Sequence, residues 1–417
     1  MKILDGIYGR ERLFLYITFL FILFNCFPLL GDVTRIPSQY VCIATCVGLL
    51  VLYPRSITDK AVIWFALFIV ILYINGYMGR YVHINGLANY TLPLNWRILI
   101  EIAWILPALI IFSILKQKKD PRLFKIVGFG SVTVLALSFV LILPILLSHS
   151  NILREALYSD NLDIEKPFGL PDYTLMHAYT FVLSGLCLNA KIQRGKFRVL
   201  MMVVVALFFY VITQTAVSTS ITVATLLVIF TLLYDENNKS KSIVCFILLG
   251  FIGAIIYYSG AILSIINWLL TIFDGTAVQS KLEDLYVSIV EGEIQGGSFE
   301  TRENLHQISI DSFYSDPLFG GGKVGGHSQV FDLLGSVGLV GFTPFFLMIW
   351  SCFKTYLNMI PRGLARTFMI ITFMVPCLFL YHKGIFGATG WLFTFVIAPS
   401  LVKAISDISN GLPSIKG

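Results

Sequence analysis

The sequence predicts an all-α, polytopic integral membrane protein, and three observations carry that prediction. Of 417 residues, 57% are hydrophobic and only 13% charged, with a mean hydropathy of +0.81; a water-soluble domain needs far more charge to cover its surface. The apolar residues fall in separate runs of roughly 15–25, about the length a helix needs to cross a bilayer. The alternation of polar and apolar positions that marks a transmembrane barrel is absent. Residues 1–417 therefore read as a single polytopic membrane domain, with no connection long enough for a substantial soluble one.

In chain order, spans are expected near 13–31, 38–53, 61–78, 98–115, 126–147, 173–190, 199–214, 217–234, 243–260, 331–353, 366–382 and 385–403, about twelve in all. The first exceeds a signal-peptide core and no small-residue cleavage site follows it, so it reads as a retained span. All seven cysteines lie inside apolar runs, a placement that indicates neither a disulfide framework nor a metal site. Gly335, Gly338 and Gly341 recur every three residues, as helix-packing positions do.

The net charge of +6 follows topology rather than pointing to nucleic acid. Placing all 30 Lys and Arg on this map puts 21 on one side and 9 on the other. Because cytoplasmic connections carry the excess, both termini are expected in the cytoplasm. Three non-trivial connections then fall on the outer side: 79–97 with Arg80, 148–172 with Arg154, and the longest, 260–330. Loops of that length without secondary structure are rare and usually functional.

The long connection has its own order. Residues 276–291, TAVQSKLEDLYVSIVE, mix apolar and charged positions as a surface-lying amphipathic helix does. Phe299–Phe313, FETRENLHQISIDSF, predicts a second helix in which Arg302, His306 and Ser309 share one face. Asp316-Pro317 ends it. The glycine-rich stretch GGGKVGGHS follows, from Gly320 to Ser328.

That stretch is not a nucleotide-binding loop: Val324 follows Gly322-Lys323 where a Ser or Thr is needed, and no strand–helix unit surrounds it. Its chemistry is still suggestive. Glycines at 320 and 322 let backbone amides approach a ligand closely, and Lys323 strengthens any anion site they form. His327, at the entry to the next span, is able to exchange a proton at neutral pH. Arg302 carries a fork suited to phosphate. The plainer readings are a flexible connection, an interfacial histidine and a solvated arginine.

The stretch FETRENLHQISIDSFYSDPLFGGGKVGGHSQVFDLLGSVGLVGF (299–342) resembles the signature region of the O-antigen polymerase and O-antigen ligase superfamily. Arg302, Asp316-Pro317-Leu318, Gly320, Gly322, His327-Ser328 and Gly338-Leu339-Val340-Gly341 match its pattern in order. The hydropathy profile, with its large late outer loop, extends the likeness over most of the chain. One feature departs: TQTAVSTSIT, from Thr213 to Thr222, lacks the arginine that members often carry in a Ser-x-Ser-Arg motif. Arg80 and Arg154 are substitutes for that cation by topology alone.

The resemblance implies a GT-C-like, multi-pass glycosyltransferase of the inner (cytoplasmic) membrane, needing neither metal nor cofactor and binding no nucleic acid. Its substrates would be undecaprenyl-diphosphate-linked glycans at the periplasmic face, and its partners membrane lipids, with a chain-length regulator and a flippase as further candidates. Arg302 and His327 become candidate catalytic residues. Lys323, Gly320, Gly322, His306, Arg154 and Arg80 become candidate substrate-binding residues. The missing Ser-x-Ser-Arg motif favours a polymerase over a ligase that transfers glycan to lipid A-core. A lipid-linked-oligosaccharide flippase or secondary transporter is the rival of another class; such a carrier should show ionisable residues within spans and repeated interrupted helices.

Overall fold

Short-range chemistry sets where the helices begin. Asp59 precedes the helix Lys60–Tyr77, and its Oδ1 accepts the Ala61 N–H at 3.0 Å, satisfying a donor that has no partner within the helix. The other oxygen, Oδ2, takes Lys116 Nζ at 2.6 Å, so the start of one helix is tied to the end of another. Pro28 opens a short helix in its first turn, where its missing N–H costs nothing.

The computed structural model describes residues 9–79, 93–148, 173–214, 218–238, 240–245, 247–248, 251, 261–274, 279–290, 299–382, 384–385 and 387–411. Its elements are α1 (Gly9–Cys26), α2 (Pro28–Thr34), α3 (Ser38–Leu52), a 3-10 turn (Pro54–Thr58), α4 (Lys60–Tyr77), α5 (Leu94–Lys118), α6 (Pro121–Ser148), α7 (Tyr173–Ile192), α8 (Gly195–Gln214), α9 (Ser218–Leu233), α10 (Ala261–Ile272), α11 (Gln279–Val290), α12 (Phe299–Ser315), α13 (Gln329–Met359), α14 (Leu364–His382), α15 (Gly387–Leu392), a π turn (Phe393–Ile397) and α16 (Ala398–Gly411). The described residues contain helices and no strand.

Seven of the described helices are long and apolar enough to cross a membrane, or eight if α1 and α2, bent by 89°, form one span. About twelve were expected on the length criterion. Physical reasons account for part of the difference. Ser38–Leu52 and Thr219–Leu233 are apolar but short. α7 carries His177, Thr180, Ser184 and Asn189. The expected span at 243–260 lies mostly outside the described residues. The long connection also opens on an apolar helix, α10, that the sequence reading left as loop, while α11 and α12 fall where its two helices were expected.

The chain divides into two compact units, Met1–Val140 with Thr301–Gly417, and Leu141–Glu300. In the second, α7 lies against α8 and α9 and is buried from Leu175 to Ala190. His177 Nδ1 meets Ser220 Oγ at 2.9 Å, and Lys191 donates to the carbonyls of Thr231 and Tyr234 near the end of α9. Tyr179 meets Phe208 edge-on at 5.5 Å.

In the first unit the C-terminal span forms the core. Trp391, Leu392, Phe393 and Phe395 are fully buried. Trp391 meets Phe345 edge-on at 5.8 Å, and Phe345 meets Phe68 at 5.2 Å; each such aromatic pair contributes about 0.5–1.5 kcal/mol beyond burial. The π turn at Phe393–Ile397 interrupts the helical ladder, and Tyr356 Oη donates to the Phe395 carbonyl at 2.9 Å. At one end of this unit Lys118 bonds Glu11 at 2.8 Å, Lys116 bonds Asp59, and Gln117 donates to the Arg55 carbonyl at 3.3 Å. Segments that the charge map assigns to the same side thus meet.

Candidate active site

The glycine-rich stretch is held between two helices that run in the same direction. Ser309 on α12 donates to Asp332 Oδ1 on α13 at 2.7 Å, and Ser312, one turn on, donates to the Gly335 carbonyl at 2.9 Å. Both partners advance by three residues, so α12 and the start of α13 are parallel here. The connection between them returns along the seam. Each serine also accepts from it: Lys323 N–H reaches Ser312 Oγ at 2.9 Å and Gly325 N–H reaches Ser309 Oγ at 2.9 Å.

The other four glycine amides of the loop are occupied as well. Gly320 donates to the Asp316 carbonyl, Gly321 to that of Ser312, Gly322 to that of Gly335, and Gly326 to Asp332 Oδ1. The sequence reading offered these amides to an anion; in the structure they fasten the loop to protein. A buried amide must find an acceptor, and here the acceptors are serines, a carboxylate and helix carbonyls.

The far end of the loop docks on a break in α13. Gly338 has φ 58° and ψ −162°, which interrupts the helix and frees the amides of Leu339 and Val340. They donate instead to the carbonyls of Pro317 (2.9 Å) and Leu318 (3.0 Å). Asn75 of α4, itself buried, donates to the carbonyls of Phe319 (3.2 Å) and Ser336 (3.4 Å). Only glycine suits positions 320 and 338. Both have positive φ, and a Cβ would come within 2.6 Å of Ser336 C and Phe319 N respectively. The DPLFG motif is therefore a docking element.

The near end gathers the titratable residues. Gly325 lies against Leu305, so the loop finishes beside the first turns of α12 and α13. His327, half-buried, follows directly, and Ser328 caps α13. Ser328 Oγ donates to the Tyr381 carbonyl at 2.5 Å, which brings in the end of α14 and His382. His306 packs on Phe331 at 5.4 Å, and Phe331 on Tyr381 at 5.5 Å. Two buried nitrogens here, His306 Nε2 and Gln329 Nε2, have no hydrogen-bond partner among the described residues, while Gln329 Oε1 accepts from Ile385 N–H at 2.8 Å.

Of the sequence-selected residues, Gly320, Gly322, Lys323, His306 and His327 lie on this assembly, and Lys323 is exposed. Arg302 lies on α12 one turn before His306. Arg80 and Arg154 lie outside the described residues. Sequence reasoning missed Ser312, Gln329, Tyr381 and Asn75 as site builders. The serines at 309 and 312, spaced to share a face and followed by a polar–glycine pair with the same spacing at 332 and 335, were the available signal. Among the described residues no three His, Cys, Asp or Glu side chains gather as a metal site would need. An apolar groove of about 150 Å³ in the same unit, lined by Pro37, Tyr40, Ile43, Trp96 and Leu99 among others, shares no residue with the assembly. Comparison with protein-family models gives no match, and comparison with curated proteins finds none similar to this chain.

Proposed function

We propose that the protein polymerises undecaprenyl-diphosphate-linked oligosaccharide repeat units at the periplasmic face of the inner membrane. In this reading the chain crosses the bilayer about twelve times, with both termini cytoplasmic and residues 260–330 outside. One observation supports it most: the stretch 299–342, which carries the family resemblance, is packed as one hydrogen-bonded assembly in which Gly325, two residues before His327, lies against Leu305, three residues after Arg302 on α12.

The chemistry is displacement at an anomeric carbon. A sugar hydroxyl of the incoming lipid-linked unit attacks, the bond from that carbon to the diphosphate of the growing chain breaks, and the carrier diphosphate leaves. His327 accepts the hydroxyl proton. Arg302 and Lys323 stabilise charge developing on the diphosphate, and His306 binds the glycan. With their amides committed internally, Gly320 and Gly322 serve this site by shaping the backbone that carries Lys323.

The test is the purified protein in lipid vesicles with defined lipid-linked repeats, products being separated by length. A ladder is expected. Single transfer to added lipid A-core would identify a ligase, movement of intact substrate across the bilayer a carrier, and either result removes the polymerase reading. His327→Ala should lower the rate by about 10²- to 10⁴-fold while donor binding persists. Arg302→Lys should rescue less than half of what Arg302→Ala loses, because an ammonium lacks the planar fork; a rate within about threefold of the parent in either Ala variant removes that residue from the mechanism.

A further inference from the structure

We infer that Asp332 is a positioning residue, which fixes the loop carrying His327, and is not the proton acceptor of the reaction; its catalytic consequence rests on the function proposed above. The carboxylate lies in the first turn of α13 and is 4% exposed. Oδ1 receives two donors from two different segments: Ser309 O–H of α12 at 2.7 Å and the Gly326 N–H at 3.1 Å. Gly326 has φ 82° and immediately precedes His327. Ser309 in turn accepts from Gly325 N–H. Asp332, Ser309 and the 325–326 amides therefore form a closed three-way junction, and His327 is the next residue along the chain.

A general base needs an open lone pair within reach of the substrate hydroxyl. Asp332 instead has one oxygen doubly engaged inside the protein and almost no surface, whereas His327 is half-buried at the edge of the same junction. Among the described residues, the titratable side chain that interacts with the Asp332 charge is His306. A carboxylate that served instead to orient His306 gives the opposite result in the test below.

The two roles separate on substitution. Asparagine keeps an oxygen that accepts both Ser309 O–H and Gly326 N–H, but it holds no charge and accepts no proton. Alanine removes both bonds, leaves the part-buried Gly326 amide without its acceptor, and also removes the carboxylate that the Ser328 N–H engages. Two readouts are taken on the full-length protein in lipid vesicles: hydrogen exchange of the peptide spanning Lys323–Ser328, and the pH–rate profile of polymerisation. Asp332→Asn should keep exchange protection, at least a third of kcat and an unchanged pH profile. Asp332→Ala should lose protection and at least tenfold in kcat, with KM changed by less than threefold. Ser309→Ala, which spares the carboxylate, should lose protection in the same peptide. Loss of activity in Asp332→Asn equal to that in Asp332→Ala, or a shifted pH profile, would overturn the inference in favour of a base or a partner for His306. Retained protection in Asp332→Ala would overturn the junction itself. Should no form polymerise, the proposed function fails, while the exchange comparison still decides whether Asp332 is the fastening point.

Discussion

The two ends of the first unit are held by different chemistry. At one end short groups do the holding: serine hydroxyls, a carboxylate one methylene from the backbone, and main-chain amides fasten 316–328 between α12 and α13. At the other, long side chains reach across: Lys116 to Asp59 and Lys118 to Glu11. Short groups have few rotamers and fix position to fractions of an ångström. Long lysines tolerate displacement, and their attraction falls with salt. The first kind of linkage suits the role proposed above for His327, which has to meet a reacting atom. The second suits an end that has only to stay closed.

The sharpest way to break the comparison is at the helix break. Gly338→Ala puts a Cβ within 2.6 Å of Phe319 N at positive φ, and the atoms it meets are backbone of Leu318 and Phe319 rather than the end of a flexible side chain. Strained backbone conformations cost on the order of 1–3 kcal/mol, and the overlap adds to that. We expect Gly338→Ala to release the DPLFG element, abolish polymerisation and lower the melting temperature in detergent. An unchanged melting temperature would show that the docking contributes little to holding this end.

How much of this was readable beforehand differs between elements for physical reasons. α12 and its end at Asp316-Pro317 were legible because helical spacing and a proline are local signals. The meeting of the segments around Glu11, Arg55–Asp59 and Lys116–Lys118 agrees with the charge map for those three connections. The break at Gly338 was not legible. A Gly-x-x-Gly-x-x-Gly run reads as helix packing, and what breaks the helix is a pair of carbonyls, those of Pro317 and Leu318, some twenty residues earlier in the sequence. The loop amides were misassigned for the same reason: a glycine run shows that backbone can come close to something, and only the fold shows that the something is Ser309, Ser312 and Asp332. In the C-terminal span the apolar stretch was visible, but its π turn is matched to a hydroxyl on another helix, that of Tyr356.

At the opposite end the larger effect belongs to Asp59. The residue is 8% exposed, caps α4 and pairs with Lys116. Asp59→Ala removes a cap worth about 1 kcal/mol and strands a partly buried lysine. Breaking a fully buried pair costs about 3–5 kcal/mol; with the Lys116 side chain 30% exposed, the expected loss lies toward the lower figure. Asp59→Asn should recover the cap and not the pair. Activity per folded molecule should hold within about twofold, since a role in proton transfer would cost far more. A large fall in kcat at unchanged stability would mean that the two ends are coupled.

The smallest effect is expected at Lys118 and Glu11, and it is the one that separates the two kinds of linkage most cleanly. Lys118 is 35% exposed and Glu11 15%; the ammonium also lies 5.5 Å from the Tyr53 ring centre. Exposed pairs contribute about 0–1 kcal/mol and are screened by salt. Glu11→Gln should therefore shift the melting temperature only slightly at low ionic strength, and raising the salt should erase even that difference, because the parent loses the same attraction the variant lacks. Ser309→Ala, measured alongside, should keep its deficit at every salt concentration, since a buried hydroxyl bond to a carboxylate is out of reach of mobile ions. If the Ser309→Ala deficit shrank with salt as the Glu11→Gln deficit does, the junction around Asp332 would be solvent-accessible, and the distinction between a fixed end and a merely closed one would collapse.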